Sequence, residues 1–152
     1  MNYRSLLWSP DEARAAWDEI LPDADLIIAA ETDAALLLKT PHPREEIARW
    51  IFETYRPDAV VLTCGGDGSA AYDGQQWYSA PTYPLQVVNR LGAGDAFDAG
   101  LLYGLITADL QTGLAYGNAM AALKITIPQN MPLIEREDVM RLLSGDASRL
   151  VR

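Results

Sequence analysis

Val87-Val88-Asn89-Arg90-Leu91-Gly92-Ala93-Gly94-Asp95-Ala96-Phe97 reads as an apolar strand, a glycine-rich bend and then a helix opening at Asp95. Glycine tolerates the positive φ that a sharp bend demands, so two of them allow successive backbone N–H groups to point at one spot. The N-terminus of the following helix adds a favourable potential for an anion at that spot. A carboxylate there is paradoxical for phosphate binding. It makes sense if Asp95 is a base that takes the proton of an attacking hydroxyl while neighbouring N–H groups stabilise a transferring phosphoryl group. The same residues also satisfy a plainer reading, in which Asp95 caps the helix and Gly92 and Gly94 only make the turn. Two other phosphate motifs are excluded: a dinucleotide fingerprint needs a third glycine where Phe97 stands, and no Gly-x-x-x-x-Gly-Lys-Ser/Thr occurs.

Downstream of the bend the pattern is helical, with helices predicted from about Asp95 to Thr107, Leu110 to Thr126 and Arg136 to Leu143. Upstream, short strands alternate with helices. Ser9-Pro10-Asp11-Glu12 is a capping box with proline in the first helical position, which predicts a helix over Pro10–Ile20. Ala24–Ala29 is a short buried strand, Thr32–Leu38 a short helix ended by Thr40-Pro41-His42-Pro43, and Arg44–Tyr55 a helix with Ile47 and Ile51 in the core. Ala59–Thr63 is a β-branched strand that stops at Gly65-Gly66-Asp67-Gly68. Ser69–Tyr72 follows, turns at Asp73-Gly74 and pairs with Gln76–Ser79, and Leu85–Val88 supplies another strand. This alternation predicts one layered α/β domain over residues 1–152.

Two further segments invite a ligand. Glycines in Thr63-Cys64-Gly65-Gly66-Asp67-Gly68 allow close approach to the backbone, and an ordinary hairpin turn needs the same glycines. Tyr116-Gly117-Asn118-Ala119-Met120-Ala121-Ala122 places small residues on a helix face, open to a flat ring or to a neighbouring helix. The charge balance limits the partners. Twelve cationic against 21 anionic residues give a net charge of -9, and only Lys39 and Lys124 are lysines. Nucleic acid and anionic membrane surfaces are thereby excluded as partners. No apolar run reaches the length of a membrane span, and the lone Cys64 makes no internal disulfide, so a reducing, cytoplasmic setting fits. Cys64 is read as a small hydrophobe at a strand end, and His42 as an exposed loop residue without a role.

Taken in order, these segments resemble the ribokinase-like (PfkB) family of carbohydrate kinases. The matching pieces are Asn2-Tyr3-Arg4 with Leu7-Trp8, Thr63-x-Gly65-x-x-Gly68, Gly92-Ala93-Gly94-Asp95-Ala96-Phe97 with Gly100, and Asn118-Ala119 followed by Ala122-Leu123-Lys124. The resemblance implies a three-layered α/β/α, Rossmann-like fold, of which this is the C-terminal portion, and ATP-dependent phosphorylation of a sugar or sugar-acid hydroxyl, with Mg²⁺. It makes Asp95 the general base and the Gly92, Ala93, Gly94 and Asp95 backbone an anion hole. Thr63, Gly65 and Gly68 would line the nucleotide, and Asn118 would sit by the adenine. The front segment and Asn89-Arg90 look most like 2-keto-3-deoxygluconate kinases, with fructokinases next, so Arg4 becomes a candidate for a sugar-acid carboxylate.

Some positions depart from the family pattern. Asn89 stands where many relatives carry Asp near a monovalent cation, which puts potassium activation in doubt. The usual Asn-x-x-Glu reads Ala30-Glu31-Thr32-Asp33, leaving Asp33 as a candidate near magnesium. Pro128-Gln129-Asn130-Met131-Pro132 replaces a glycine-bearing loop. Family members are also longer, so the chain is expected to be the C-terminal, nucleotide-binding half, without the N-terminal half and its lid. Such a half would bind nucleotide weakly and turn over little. The alternative expectation is a non-catalytic module that self-associates, or binds a partner, through an uncovered sheet.

Overall fold

The computed structural model describes residues 1, 3–37, 42–129 and 133–145, so Asn2, Leu38–Pro41 and Asn130–Pro132 of the segments quoted above lie outside the described residues. The chain divides into two compact units, Met1–Tyr78 and Ser79–Arg152.

In the first unit, α1 (Pro10–Ile20) starts where the capping box requires. The Ser9 backbone N–H donates to Glu12 Oε2 at 2.8 Å, and Glu12 N–H returns a 3.3 Å bond to the Ser9 hydroxyl. The chain continues through β1 (Leu26–Ala30), α2 (Glu31–Leu37), α3 (Arg44–Tyr55), β2 (Ala59–Thr63) and β3 (Ser69–Tyr72), and β4 (Trp77–Ala80) leads into the second unit. β1 and β2 run parallel in the register Leu26↔Ala59 to Ala30↔Thr63, as a strand–helix–helix–strand crossover permits. β2 and β3 are antiparallel, with Thr63 opposite Ser69 closing the hairpin. The sheet order is β1-β2-β3-β4, which leaves β1 at an edge.

Alternate residues of the parallel strands, Ile27, Ala29, Val60 and Leu62, join Trp17 of α1, Ala34 of α2 and Ile47, Ile51 and Tyr55 of α3 in one core. Each large aliphatic buried there contributes about 1.5–3 kcal/mol. Helix α3 ends on Arg56 in the left-handed region (φ 57°), whose N–H closes on Phe52 O at 2.8 Å before Pro57 stops the helix.

The second unit is helical: α4 (Ala93–Thr107), α5 (Leu110–Ile125) and α6 (Arg136–Leu143). Helices α4 and α5 are antiparallel and so close that a Cβ on Gly100 would lie 2.6 Å from Tyr116 O, and one on Gly104 2.6 Å from Gly113 Cα. Glycine at these crossing points lets the backbones touch. Asp109 caps α5 by accepting Thr112 N–H at 2.7 Å. Val139 and Leu142 of α6 pack on Ala119, Ala122 and Leu123, with Tyr83 and Leu85 alongside.

The predicted strand over Leu85–Val88 does not form. These residues are irregular, and Val88 and Asn89 N–H both donate to Ile125 O, at 2.7 and 3.0 Å, instead of to a ladder. A β-branched run becomes a strand only beside another strand, and the end of α5 takes its donors here. Likewise Thr54, in register with Ile47 and Ile51, is exposed and bonds back to Trp50 O. No helix among the described residues is long and apolar enough to cross a membrane.

Candidate active site

The glycine bend is built from Gly92, the N-cap of α4, at φ 83° and ψ 4°. The helix begins at Ala93, two residues ahead of the predicted start, so Asp95 is its third residue and is exposed. Ala93 N–H is taken by Arg90 O (3.2 Å) and Ala96 N–H by Gly92 O (3.0 Å). Between them, the N–H groups of Gly94 and Asp95 have no acceptor among the described residues. They are first-turn donors that an α-helix leaves unpaired, at the positive end of its dipole. A Cβ on Gly94 would meet nothing within 4 Å.

The approach to the bend is tied down. Asn89 Oδ1 accepts Leu91 N–H at 3.0 Å, and Asn89 Nδ2 donates to Pro128 O at 2.8 Å. One helical turn past Asp95, the half-buried Asp98 was not foreseen as a site residue. Burial pushes its carboxyl up, and the Asp95 carboxylate adds to the effect. The Asp-x-x-Asp spacing, which puts both carboxylates on one helix face, was the available signal.

In the first unit, the hairpin between β2 and β3 holds Thr63, Gly65 and Gly68. Gly65–Asp67 forms a single 3₁₀ turn, with Gly65 at φ 58° and Gly68 at φ 90°, ψ -130°. Cys64 N–H donates to Gly68 O at 2.8 Å, Asp67 N–H to Cys64 O at 3.1 Å and Gly68 N–H to Gly65 O at 3.3 Å. Gly65 and Gly66 N–H have no acceptor among the described residues, and a Cβ on either glycine would meet nothing within 4 Å. This is a second pair of neutral backbone donors without an acceptor among the described residues, in a glycine turn of the kind that can form an anion nest.

Arg44, the first residue of α3, ties that turn to α2. Its Nε and Nη2 donate to the two Glu31 carboxylate oxygens at 3.3 Å each, and Nη2 also reaches Asp67 Oδ2 at 3.3 Å. Beside this ion cluster, burial above all, with the Glu31 carboxylate behind it, pushes the Cys64 thiol up to about 12. Cys64 is therefore a protonated small side chain that donates to Leu62 O, not a nucleophile.

The other candidates are placed as follows. Asn118 is buried, and its Nδ2 donates to Ala80 O (2.8 Å) and Pro81 O (3.2 Å), so its amide holds the chain leaving β4. Asp33 Oδ2 accepts the Tyr3 N–H at 3.1 Å. Arg4 is exposed in a turn closed by Leu7 N–H on its own carbonyl. Thr63, Gly65, Gly68, Asp33 and Arg4 belong to one compact unit, and Gly92–Asp95 with Asn118 to the other. No group of three or more His, Cys, Asp or Glu among the described residues could hold a metal ion by itself.

A mixed α/β fold with a four-stranded sheet places the chain in the ribokinase-like class, where its structural neighbours also lie. Residues 1–134 match the profile of the pfkB family carbohydrate kinases, and the chain belongs to that family. It is 36% identical over 146 residues to a 2-dehydro-3-deoxygalactonokinase of Haloferax volcanii, covering 95% of this chain and 46% of that protein. A 5-dehydro-2-deoxygluconokinase of Listeria monocytogenes is 25% identical over 150 residues, covering 97% of this chain and 46% of that one. Among solved structures, the 2-dehydro-3-deoxygluconokinase of Thermotoga maritima superposes with a TM-score of 0.84 at 28% identity, over 95% of this chain and 49% of that one. The chain thus spans about half the length of the relatives it matches.

Proposed function

We propose that this chain is the C-terminal, nucleotide-binding half of an ATP-dependent kinase for a sugar or sugar acid. The observation that carries the reading is that two glycine turns, Gly65–Gly68 and Gly92–Asp95, each leave two backbone N–H groups without an acceptor among the described residues, in a PfkB chain. Neutral donors fixed before the substrate arrives stabilise developing phosphoryl charge without reorganising. Asp95 stands at the same helix start. There it takes the proton of the substrate hydroxyl as that oxygen bonds to the γ-phosphorus, the bond from phosphorus to the bridging oxygen breaks, and ADP leaves. Gly92 to Asp95 line the transferring group, and Thr63, Gly65 and Gly68 line the nucleotide phosphates and ribose. Asn118 serves the adenine side by fixing Ala80 and Pro81. Magnesium arrives on the phosphates and neutralises their charge, with Asp33 the candidate carboxylate nearby. Arg4 is the candidate contact for a sugar-acid carboxylate.

Phosphoryl transfer depends on positioning, and this half brings few sugar contacts. Calorimetry on the chain is expected to give weak Mg-ATP binding, and a coupled assay with a panel of sugar acids negligible ADP release. Well-folded protein that binds neither Mg-ATP nor Mg-ADP sinks the nucleotide site, and robust sugar-dependent ADP release sinks the half-enzyme reading. A second reading, self-association, is favoured by β1, a five-residue apolar strand lying at the sheet edge. A concentration-independent monomer in light scattering would dismiss it.

A further inference from the structure

Lys124, in the last turn of α5, is wholly buried, at 0% exposure. Removing an ammonium from water is costly unless acceptors replace the water, and the stem alone could have been a methionine or leucine. Among the described residues its Nζ makes one long bond, to Ile127 O at 3.4 Å. The amine therefore lies beside the Ile127 carbonyl, at the negative end of the α5 dipole. The other carbonyls that close the helix are busy. Leu123 O accepts Thr126 N–H (3.1 Å) and Thr126 Oγ1 (2.7 Å), and Lys124 O accepts Ile127 N–H at 3.1 Å. Ile125 O accepts both Val88 N–H and Asn89 N–H, and Pro128 O accepts Asn89 Nδ2. The same helix end thus grips the segment that runs through Leu91 into the Gly92 bend.

We propose that Lys124 is a positioning residue of the phosphate site. Its ammonium is an internal cation that balances the carbonyl cluster at the end of α5 and thereby holds Val88–Leu91, and with it the donors of Gly94 and Asp95, in place. The consequence for phosphate rests on the nucleotide reading above; the holding of the loop does not.

Hydrogen exchange and calorimetry on the whole chain test the two parts separately. Lys124→Met keeps the stem and removes the charge, so the thermal midpoint should stay level or rise, because an apolar replacement spares the desolvation cost. Exchange at Val88, Asn89 and Leu91, whose N–H groups are bonded, should still quicken about tenfold, and Mg-ATP affinity fall about tenfold, as expected when one member of a bonded network is lost. Lys124→Ala should show the same loosening, reversed by added methylammonium, which leaves Lys124→Met unchanged. If Lys124→Met does not fold, Lys124→Gln, which keeps one donor toward Ile127 O, carries the exchange and affinity measurements.

Unchanged loop exchange in the Met and Ala variants, or no rescue by methylammonium, overturns the assignment. So does uniform loosening of α4 and α5 with a lower midpoint, the mark of a core filler, or a looser loop with unaltered Mg-ATP affinity. If the unsubstituted chain binds no Mg-ATP, the nucleotide reading falls and exchange alone decides the internal cation.

Discussion

Replacing Gly94 by alanine separates the folding role of the bend from its proposed chemistry. Gly94 is the second residue of α4, does not have a positive φ, and its added Cβ would meet nothing within 4 Å. Alanine is favoured over glycine by up to about 1 kcal/mol in a helix interior and by less in a first turn, so stability should hold or rise by about 0.5 kcal/mol. The same methyl would stand where an anion has to approach the N–H groups of Gly94 and Asp95. A hydrogen bond to a charged group is worth about 1.5–3 kcal/mol, so losing one weakens Mg-ATP binding by roughly 10- to 150-fold. Gly92→Ala is the matched control with the opposite signature. At φ 83° an L-residue costs about 1–2 kcal/mol, so that variant loses stability directly. Thermal denaturation and titration calorimetry on the two variants read both quantities. A Gly94→Ala chain that is stable and binds Mg-ATP as tightly as the parent would refute the claim that phosphate sits on these donors.

Asp95→Asn removes a negative charge next to the proposed γ-phosphate site, so Mg-ATP should bind several-fold tighter while any ADP release disappears. Weaker binding with release intact would return Asp95 to a helix cap. Gly104→Ala sets a helix-propensity gain of about 1 kcal/mol against a Cβ 2.6 Å from Gly113 Cα. Backbone cannot yield as a side chain can, and overpacking costs about 1–3 kcal/mol, so a thermal midpoint lower by about 2–8 °C is expected and a higher one contradicts the crossing. Arg44→Met frees Asp67, whose side chain is 76% exposed, so stability should fall by less than about 1 kcal/mol while hydrogen exchange at Asp67 and Gly68 quickens. Unchanged exchange would mean that the ion cluster does not hold the turn.

The hairpin aspartate Asp73 gives a pH test. Burial works against its ionisation, but the Gln76 and Gln75 N–H groups and the Tyr78 hydroxyl outweigh it and hold the carboxyl below 3.8. With the folded value depressed, its stabilisation is complete above 3.8 and is lost as the pH falls through the lower folded value. Asp73→Ala should flatten that acid limb in a denaturation series, and an unaltered limb would count against the assignment.

The elements legible in the sequence were those specified locally. Ser9 and Glu12 carry the start of α1 in their own side chains, and Asp73-Gly74 carries its turn through a glycine at φ 87° and a carboxylate bonded to Gln75 and Gln76. Leu85–Val88 failed because a strand is a property of two segments, and the donors of Val88 and Asn89 found α5 instead. The small face around Gly117 was visible, but that Gly100 and Gly104 meet it depends on how the helices cross. The Gly92 bend and the start of α4 beside Asp95 were legible because bends and helix starts leave local signatures. Arg44, 23 positions from Asp67 and 13 from Glu31, and Lys124, 35 positions from Asn89, act through residues distant in sequence, which spacing does not reveal.

The acidity of the chain is reconciled with a phosphate substrate by the kind of donor used. A surface carrying -9 repels a polyphosphate at long range, and with only 12 cationic residues it has no basic groove to gather one. Backbone N–H groups carry no net charge to be screened or neutralised. Their pull is confined to the first turn of a helix or the mouth of a 3₁₀ turn, and it becomes strong only after water is excluded. Recognition of that kind depends on rigid geometry more than on field. Two of the cationic side chains are tied up in contacts within the protein, with Lys124 buried at the end of α5 and Arg44 bound to Glu31 and Asp67 beside the Gly65 turn. On this argument salt should barely change Mg-ATP affinity beyond its effect on the long-range repulsion, and affinity should rise slightly as that repulsion is screened. A basic-groove binder would lose affinity with salt.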